Sequence, residues 1–191
     1  MDHIKYAKNF AEKGIDIYAS EGTFNAIGLQ GHRLKVIKSL NQFSIGNFII
    51  LPFDTQHDAA EPLAFLIQHK ITGEKLLYAT DTYYIKYKFK DLNYIMIECN
   101  YIKEIAKENM RTQIINKTRY SRLLESHMSL ENLLEFLKSN DLKHVKKIIL
   151  CHLSDTNSNA ETMVEKVFEM TKIETIIADN NRTIELKKYP F

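Results

Sequence analysis

Tryptophan is missing from these 191 residues, proline occurs three times, glycine six times and cysteine twice. So little proline and glycine leaves no Gly/Pro/Ser-rich linker, and neither an internal repeat nor a low-complexity tract breaks the chain. The expectation is one domain over residues 1–191, long enough to bury a substantial core. Long apolar runs are missing too. The richest, "NFIILPF", is far shorter than the roughly 20 residues that span a bilayer, which excludes a membrane helix. No apolar leader with a cleavage site opens the sequence, so nothing signals secretion. The two cysteines, Cys99 and Cys151, lie in apolar, strand-like stretches and read as buried thiols of a reducing compartment, not as a disulfide. Charge of one sign is also lacking: the net charge is +2. The whole-molecule field therefore favours no nucleic-acid or acidic partner, and any such preference must come from a local patch. What is present is ordinary for a globular cytoplasmic protein, with 45% apolar and 26% charged residues.

The apolar pattern predicts an opening amphipathic helix from about Ile4 to Lys13, stopped at Gly14. Strands follow at "IDIYAS", "RLKVIKSL" and "NFIILPF". "PLAFLIQHKITGEKLLYAT" predicts a hairpin turning at Thr72-Gly73-Glu74. A buried strand, "LNYIMIEC", precedes a helix from Ile102 to Asn109, and Ser129 with Asn132 predicts a capped helix start in "SLENLLEFLKSN". "VKKIILC" reads as a strand, "NAETMVEKVFEMT" as a helix, and "IETIIAD" and "TIELKK" as closing strands. Strands in front and alternating strands and helices behind suit an α/β architecture of packed sheets with helices outside.

Particular polar residues fall where those strands end. His57 follows "NFIILPFDTQ", Asp81 follows "KLLYAT" and His152 follows "KKIILC". Strand ends gather residues distant in sequence onto one rim, while the sheet holds them rigid. A lone histidine is more often a structural residue than a ligand. Three such placements, with the Asp2-His3 pair at the start of the chain, point instead to a divalent ion such as zinc or manganese.

"HDAAEP", "LLYATDT", "MIECNY" and "CHLSDTNSN", with "DHIKYAKNFAEKGIDIYASEGTF" ahead of them, resemble the metallo-β-lactamase-fold hydrolases, in particular the bacterial and phage branch typified by YycJ (WalJ). The resemblance covers essentially the whole chain. It implies a metallo-β-lactamase-like αββα sandwich and up to two divalent ions sharing an aspartate. The family's first motif is His-x-His-x-Asp-His, and only Asp2-His3 matches it. The expectation is thus a chain N-terminally truncated relative to the family, with its N-terminal sheet incomplete. Carried over residue by residue, Asp2, His3 and His152 hold one ion, His57 belongs to the other, and Asp81 bridges both. With its two leading histidines missing, the position left with only His57 and Asp81 is a weak set for zinc.

Paired ions of this kind lower the pKa of bound water and stabilise charge on the attacked group. The resemblance therefore implies a metal-dependent hydrolase, a phosphodiesterase or nuclease with DNA or RNA as substrate. The alternative is a non-catalytic remnant with an incomplete metal site. Asp2 could also orient the attacking oxygen. His127, in "ESHMSLENL", reads either as a residue that binds substrate phosphate or protonates the leaving group, or as a backbone-bonded residue at the start of a helix. Asp58 and Glu61 could orient ligands or cap turns. Lys117, Arg119 and Arg122, in "NKTRYSR", are candidate phosphate binders; Lys86, Lys88 and Lys90 read as the solvated face of a strand. His32, His69 and His144 have no motif around them and read as surface residues. No membrane partner is expected, and an exposed sheet edge would favour self-association.

Overall fold

The computed structural model describes residues 4–180 and 183–187, so Asp2 and His3 lie outside the described residues. Helix α1 (Ala7–Glu12) ends as the sequence predicts: Gly14, at φ 85°, donates its N–H to Ala11. Strands β1 (Ile17–Ala19) and β2 (Leu34–Val36) pair in parallel as a small sheet, with helix α2 (Glu21–Ile27) between them. Tyr18 of β1 stacks on Phe43, with 5.4 Å between ring centroids.

Phe43 begins the larger sheet, whose seven strands neighbour one another in chain order: β3 (Phe43–Ile45), β4 (Phe48–Asp54), β5 (Leu63–His69), β6 (Lys75–Ala79), β7 (Tyr94–Glu98), β8 (Lys147–Cys151) and β9 (Glu174–Ile177). The first four form an antiparallel meander, and the β5–β6 hairpin turns at Gly73 (φ 75°). From β6 onward every pairing is parallel. Such pairings need crossovers; helices α3 (Lys103–Arg111), α4 (Lys117–Ser126) and α5 (Leu130–Lys138) lie between β7 and β8, and α6 (Ala160–Thr171) between β8 and β9. Two reversals separate β4 from β6, so β4, β6, β7 and β8 all run the same way. Their C-terminal ends share one edge of the sheet.

Strand periodicity then sorts side chains by face. Leu77, Ile95, Ile97, Ile148 and Leu150 join Leu133, Leu137, Met163 and Val167 of α5 and α6 in one buried core. Residues of the other parity, Tyr94, Met96 and Glu98, point away from that core. Helix α5 starts where expected, with Ser129 Oγ accepting the Asn132 N–H at 3.1 Å.

Elsewhere the structure departs from the periodic reading. Helices α2 and α4 arise in stretches that offer no apolar stripe of ordinary width; each is instead started by a side-chain cap, Ser20 for Thr23 N–H and Asn116 for Arg119 N–H. Residues 183–187 of "TIELKK" form no strand. Nor does the lysine-rich "YYIKYKFKD", although its alternation is real. Ile85 and Phe89 are buried, while Lys86, Lys88 and Lys90 are exposed. None of the described helices is long and apolar enough to cross a membrane.

Asp54, the last residue of β4, fastens this irregular segment to the sheet. It accepts hydrogen bonds from Tyr87 and Ser39 and pairs with Lys86. The Lys86 ammonium, then the Tyr87 hydroxyl, hold its carboxyl down to about 2 from an ordinary 3.8. A carboxyl depressed on folding contributes stability above its unfolded pKa and loses it as pH falls through the folded one. Asp54→Asn should therefore flatten the decline in urea midpoint between about pH 4 and about pH 2. In the core, Leu133→Ala should cost about 2–5 kcal/mol, read as a lower urea midpoint at unchanged slope.

Candidate metal centre

The common edge of β4, β6, β7 and β8 is where three of the five sequence-predicted donors, His57, Asp81 and His152, meet, with Glu98 and His127 beside them. His57 follows β4, Asp81 follows β6, Glu98 ends β7 and His152 follows β8. The fifth member, His127, lies between α4 and α5, in a segment drawn alongside β7 by the Tyr101–Ser129 bridge and by Asn100 N–H donating to Met128.

Asp81 sits in the middle. Its Oδ1 is 3.4 Å from His152 Nδ1, 3.7 Å from His127 Nδ1 and 3.8 Å from His57 Nε2. The imidazoles of His57 and His127 are 5.4 Å apart at their centroids, and those of His127 and His152 5.2 Å. Asp81 and His152 both hold φ near +55° (52° and 56°). That left-handed conformation is unusual for residues other than glycine, and it turns each side chain sharply off its strand.

Behind these groups lies Glu98, fully buried. Its Oε1 is 2.7 Å from His127 Nδ1 and 2.8 Å from His152 Nδ1, and its Oε2 accepts the Thr82 N–H at 2.9 Å. Burial alone would push this carboxyl up. The hydrogen bonds from His127, His152 and Thr82 outweigh it and hold the carboxyl below its usual range. Two further residues lock the frame. Thr82 Oγ1 accepts the Gln56 N–H, tying the His57 loop to the Asp81 loop, and Asn100 Nδ2 donates to the His152 carbonyl at 2.6 Å.

Donor chemistry and spacing suit a divalent cation. One donor atom from each of Asp81, Glu98, His127 and His152 falls within 4.8 Å of the others. Zinc takes nitrogen and oxygen ligands at about 2.0–2.2 Å, so donors gathered this closely reach a common ion with an inward shift on the order of 1 Å. His57 Nδ1 is buried and makes no hydrogen bond among the described residues, though Asp58 Oδ1 lies 3.3 Å away. The nearby thiol of Cys151 is pushed up to about 12, first by burial and then by the charge of Glu98, so it is not a thiolate at neutral pH.

A cavity of about 420 Å³ opens beside His127, bounded by Arg119, Arg122, Asn100, Ser154 and Asn157 among others. Two of the three predicted phosphate binders thus reach the site. Lys117, exposed at the start of α4, does not line the cavity. Of the two acids beside His57, Asp58 pairs with Arg122 at 2.7 Å. Glu61 turns away and accepts the Gly22 N–H of α2 at 2.7 Å. Sequence reasoning named no role for Glu98, Asn100 or Thr82. The one signal for Glu98 was a charged residue at even parity in an otherwise apolar strand, which must find buried partners.

No family model matches the sequence, and no curated protein matches it. Solved structures do. The metallo-β-lactamase fold protein YhfI from Bacillus subtilis superposes with a TM-score of 0.61 at 16% identity, over 93% of this chain and 70% of that one. Igni18, a metallo hydrolase from the hyperthermophilic archaeon Ignicoccus hospitalis, gives 0.66 at 13% identity, over 97% and 76%. A diphosphatase of the PhnP family gives 0.51 at 13% identity, over 89% and 58%. At such identities the likeness speaks for architecture alone: the chain adopts the metallo-β-lactamase fold.

Glu98→Gln tests the frame without any ion. Replacing a buried carboxylate that serves two imidazoles and an amide should cost about 1–3 kcal/mol in urea unfolding. Thermal unfolding should show the loss too.

Proposed function

We propose that this chain is a metal-dependent hydrolase of phosphodiesters, with DNA or RNA ends as its substrates and zinc or manganese as its ion. The observation that carries the reading is Asp81 at the centre of three imidazoles, beside a cavity walled by two arginines. Of the clustered donors, Asp81 and His152 would hold the ion together with His57, joined by Asp2 and His3 as the resemblance to the YycJ (WalJ) branch implies, while Glu98 stays paired with His127 as the frame behind them. A bound divalent ion supplies an acidified water and charge stabilisation at the attacked phosphoryl group.

The protein's own groups account for the remaining requirements. Arg119 and Arg122 bind the phosphate oxygens through charge-assisted hydrogen bonds and hold the phosphorus near Asp81. Attack of a water oxygen on phosphorus breaks the ester P–O bond, and the leaving oxygen needs a proton. His127 gives it. With Nδ1 against Glu98 at 2.7 Å, its Nε2 is the nitrogen left for the leaving group, and the Glu98 carboxylate fixes the ring. Leu123 and Leu153 give the cavity an apolar side suited to a nucleoside portion. A polar cavity with convergent cations supports phosphate esters over the acyl substrates that the same fold can host.

The test uses the full chain with added Zn²⁺ or Mn²⁺ and bis(p-nitrophenyl) phosphate, followed by a short single-stranded oligonucleotide. Turnover should vanish with a chelator and return with the ion. His152→Ala and Asp81→Asn should each lower kcat/KM by at least about 100-fold, and His127→Ala by about 100- to 10,000-fold. A wild-type chain that binds no ion and cleaves neither substrate would favour the non-catalytic remnant.

A further inference from the structure

His57 Nδ1 is a buried nitrogen without a hydrogen bond among the described residues, and the Asp58 carboxylate 3.3 Å from it is already engaged by Arg122. Asp58 Oδ2 takes the Nε–H of Arg122 at 2.7 Å, while Oδ1 stands 3.3 Å from His57 Nδ1. Arg122 also lines the cavity beside His127. One carboxylate thus stands between the cation that faces incoming substrate and the imidazole nearest Asp81 on the β4 side.

We propose that Asp58 is a positioning residue shared between Arg122 and His57, so that an anion seated on Arg122 frees the Asp58 carboxylate to accept the His57 N–H. The proposal rests on the reading of the site given above and extends it to the order of events. The pair is suited to such an exchange because it is open to water, with Arg122 72% and Asp58 42% exposed. Exposed ion pairs contribute little, and a phosphate offers the guanidinium a better, bidentate partner. A ligating histidine whose second nitrogen donates to a carboxylate is better oriented and more basic toward its ion. Seating the phosphate thereby tightens the donor set. Linkage requires the converse as well: the ion tightens phosphate binding by the same factor.

Binding of Mn²⁺ to the full chain is measured with and without inorganic phosphate, for wild type, Asp58→Ala, Arg122→Ala and the double variant. Phosphate should tighten Mn²⁺ binding by about 5- to 50-fold in wild type. That factor should fall below about two-fold in each single variant, with no further fall in the double. With no ion added, Asp58→Ala should strengthen phosphate binding several-fold by removing a competitor for Arg122, whereas Arg122→Ala should weaken it. A residue that only stabilised the loop would not produce those opposite signs. Arg122→Lys should restore part of the coupling, and Asp58→Asn serves as the second variant should the alanine unfold. Equal phosphate enhancement in wild type and Asp58→Ala, or phosphate affinity indifferent to Asp58, overturns the inference and leaves the hydrolase standing. A wild-type chain that binds neither Mn²⁺ nor Zn²⁺ under either condition overturns both.

Discussion

A single buried carboxylate organises the working edge of this molecule. Glu98 has no exposure to water, and removing a charge from water is tolerable only when hydrogen bonds replace the lost hydration. Three donors from three separate segments meet that need: His127, His152 and the Thr82 amide. The strand fixes the acid, the acid fixes the rings, and Asp81 then finds three imidazoles around it. Electrostatic need and structural order are here the same interaction.

The sheet makes this arrangement attainable. Because β4, β6, β7 and β8 run in one direction, their last residues form a row, and a side chain needs only one turn off its strand to face its neighbours. Asp81 and His152 make that turn through left-handed backbone conformations. Such conformations persist where surrounding bonds over-determine them. Asn100 supplies one such bond, to the His152 carbonyl, and the Thr82 bonds to Glu98 and Gln56 confine the chain just after Asp81.

Much of this was legible in the sequence, for physical reasons. Apolar runs of strand length betrayed β4 through β9, and a polar donor directly after such a run is visible without coordinates; that rule found His57, Asp81 and His152. Ser129 announced α5 because a capping hydroxyl is a local event. Other features escaped for equally physical reasons. Helix α4 exposes most of its surface, so hydrophobic periodicity could not reveal it. The segment 83–90 alternates like a strand yet pairs with none, because its residues are fastened by Asp54 and Asn140 instead of a ladder. Glu98 belongs to a strand whose other residues are apolar, and its partners lie about 30 and 54 positions away (|i−j| of 29 and 54). No local pattern contains that information.

The division of labour between sheet and helix has a consequence for how this architecture can diversify. The metal-capable donors that follow β4, β6 and β8, and Glu98 at the end of β7, are anchored to the strands of the large sheet, whereas the cations facing the cavity ride on α4, within the long excursion between β7 and β8. Replacing or lengthening that excursion would redraw what the cavity accepts while leaving the strand-borne donors where they are. His127 and Asn100, borne by the same excursion, would have to be kept in register, and their tethers to Glu98 and to the His152 carbonyl mark the point at which such remodelling must stop.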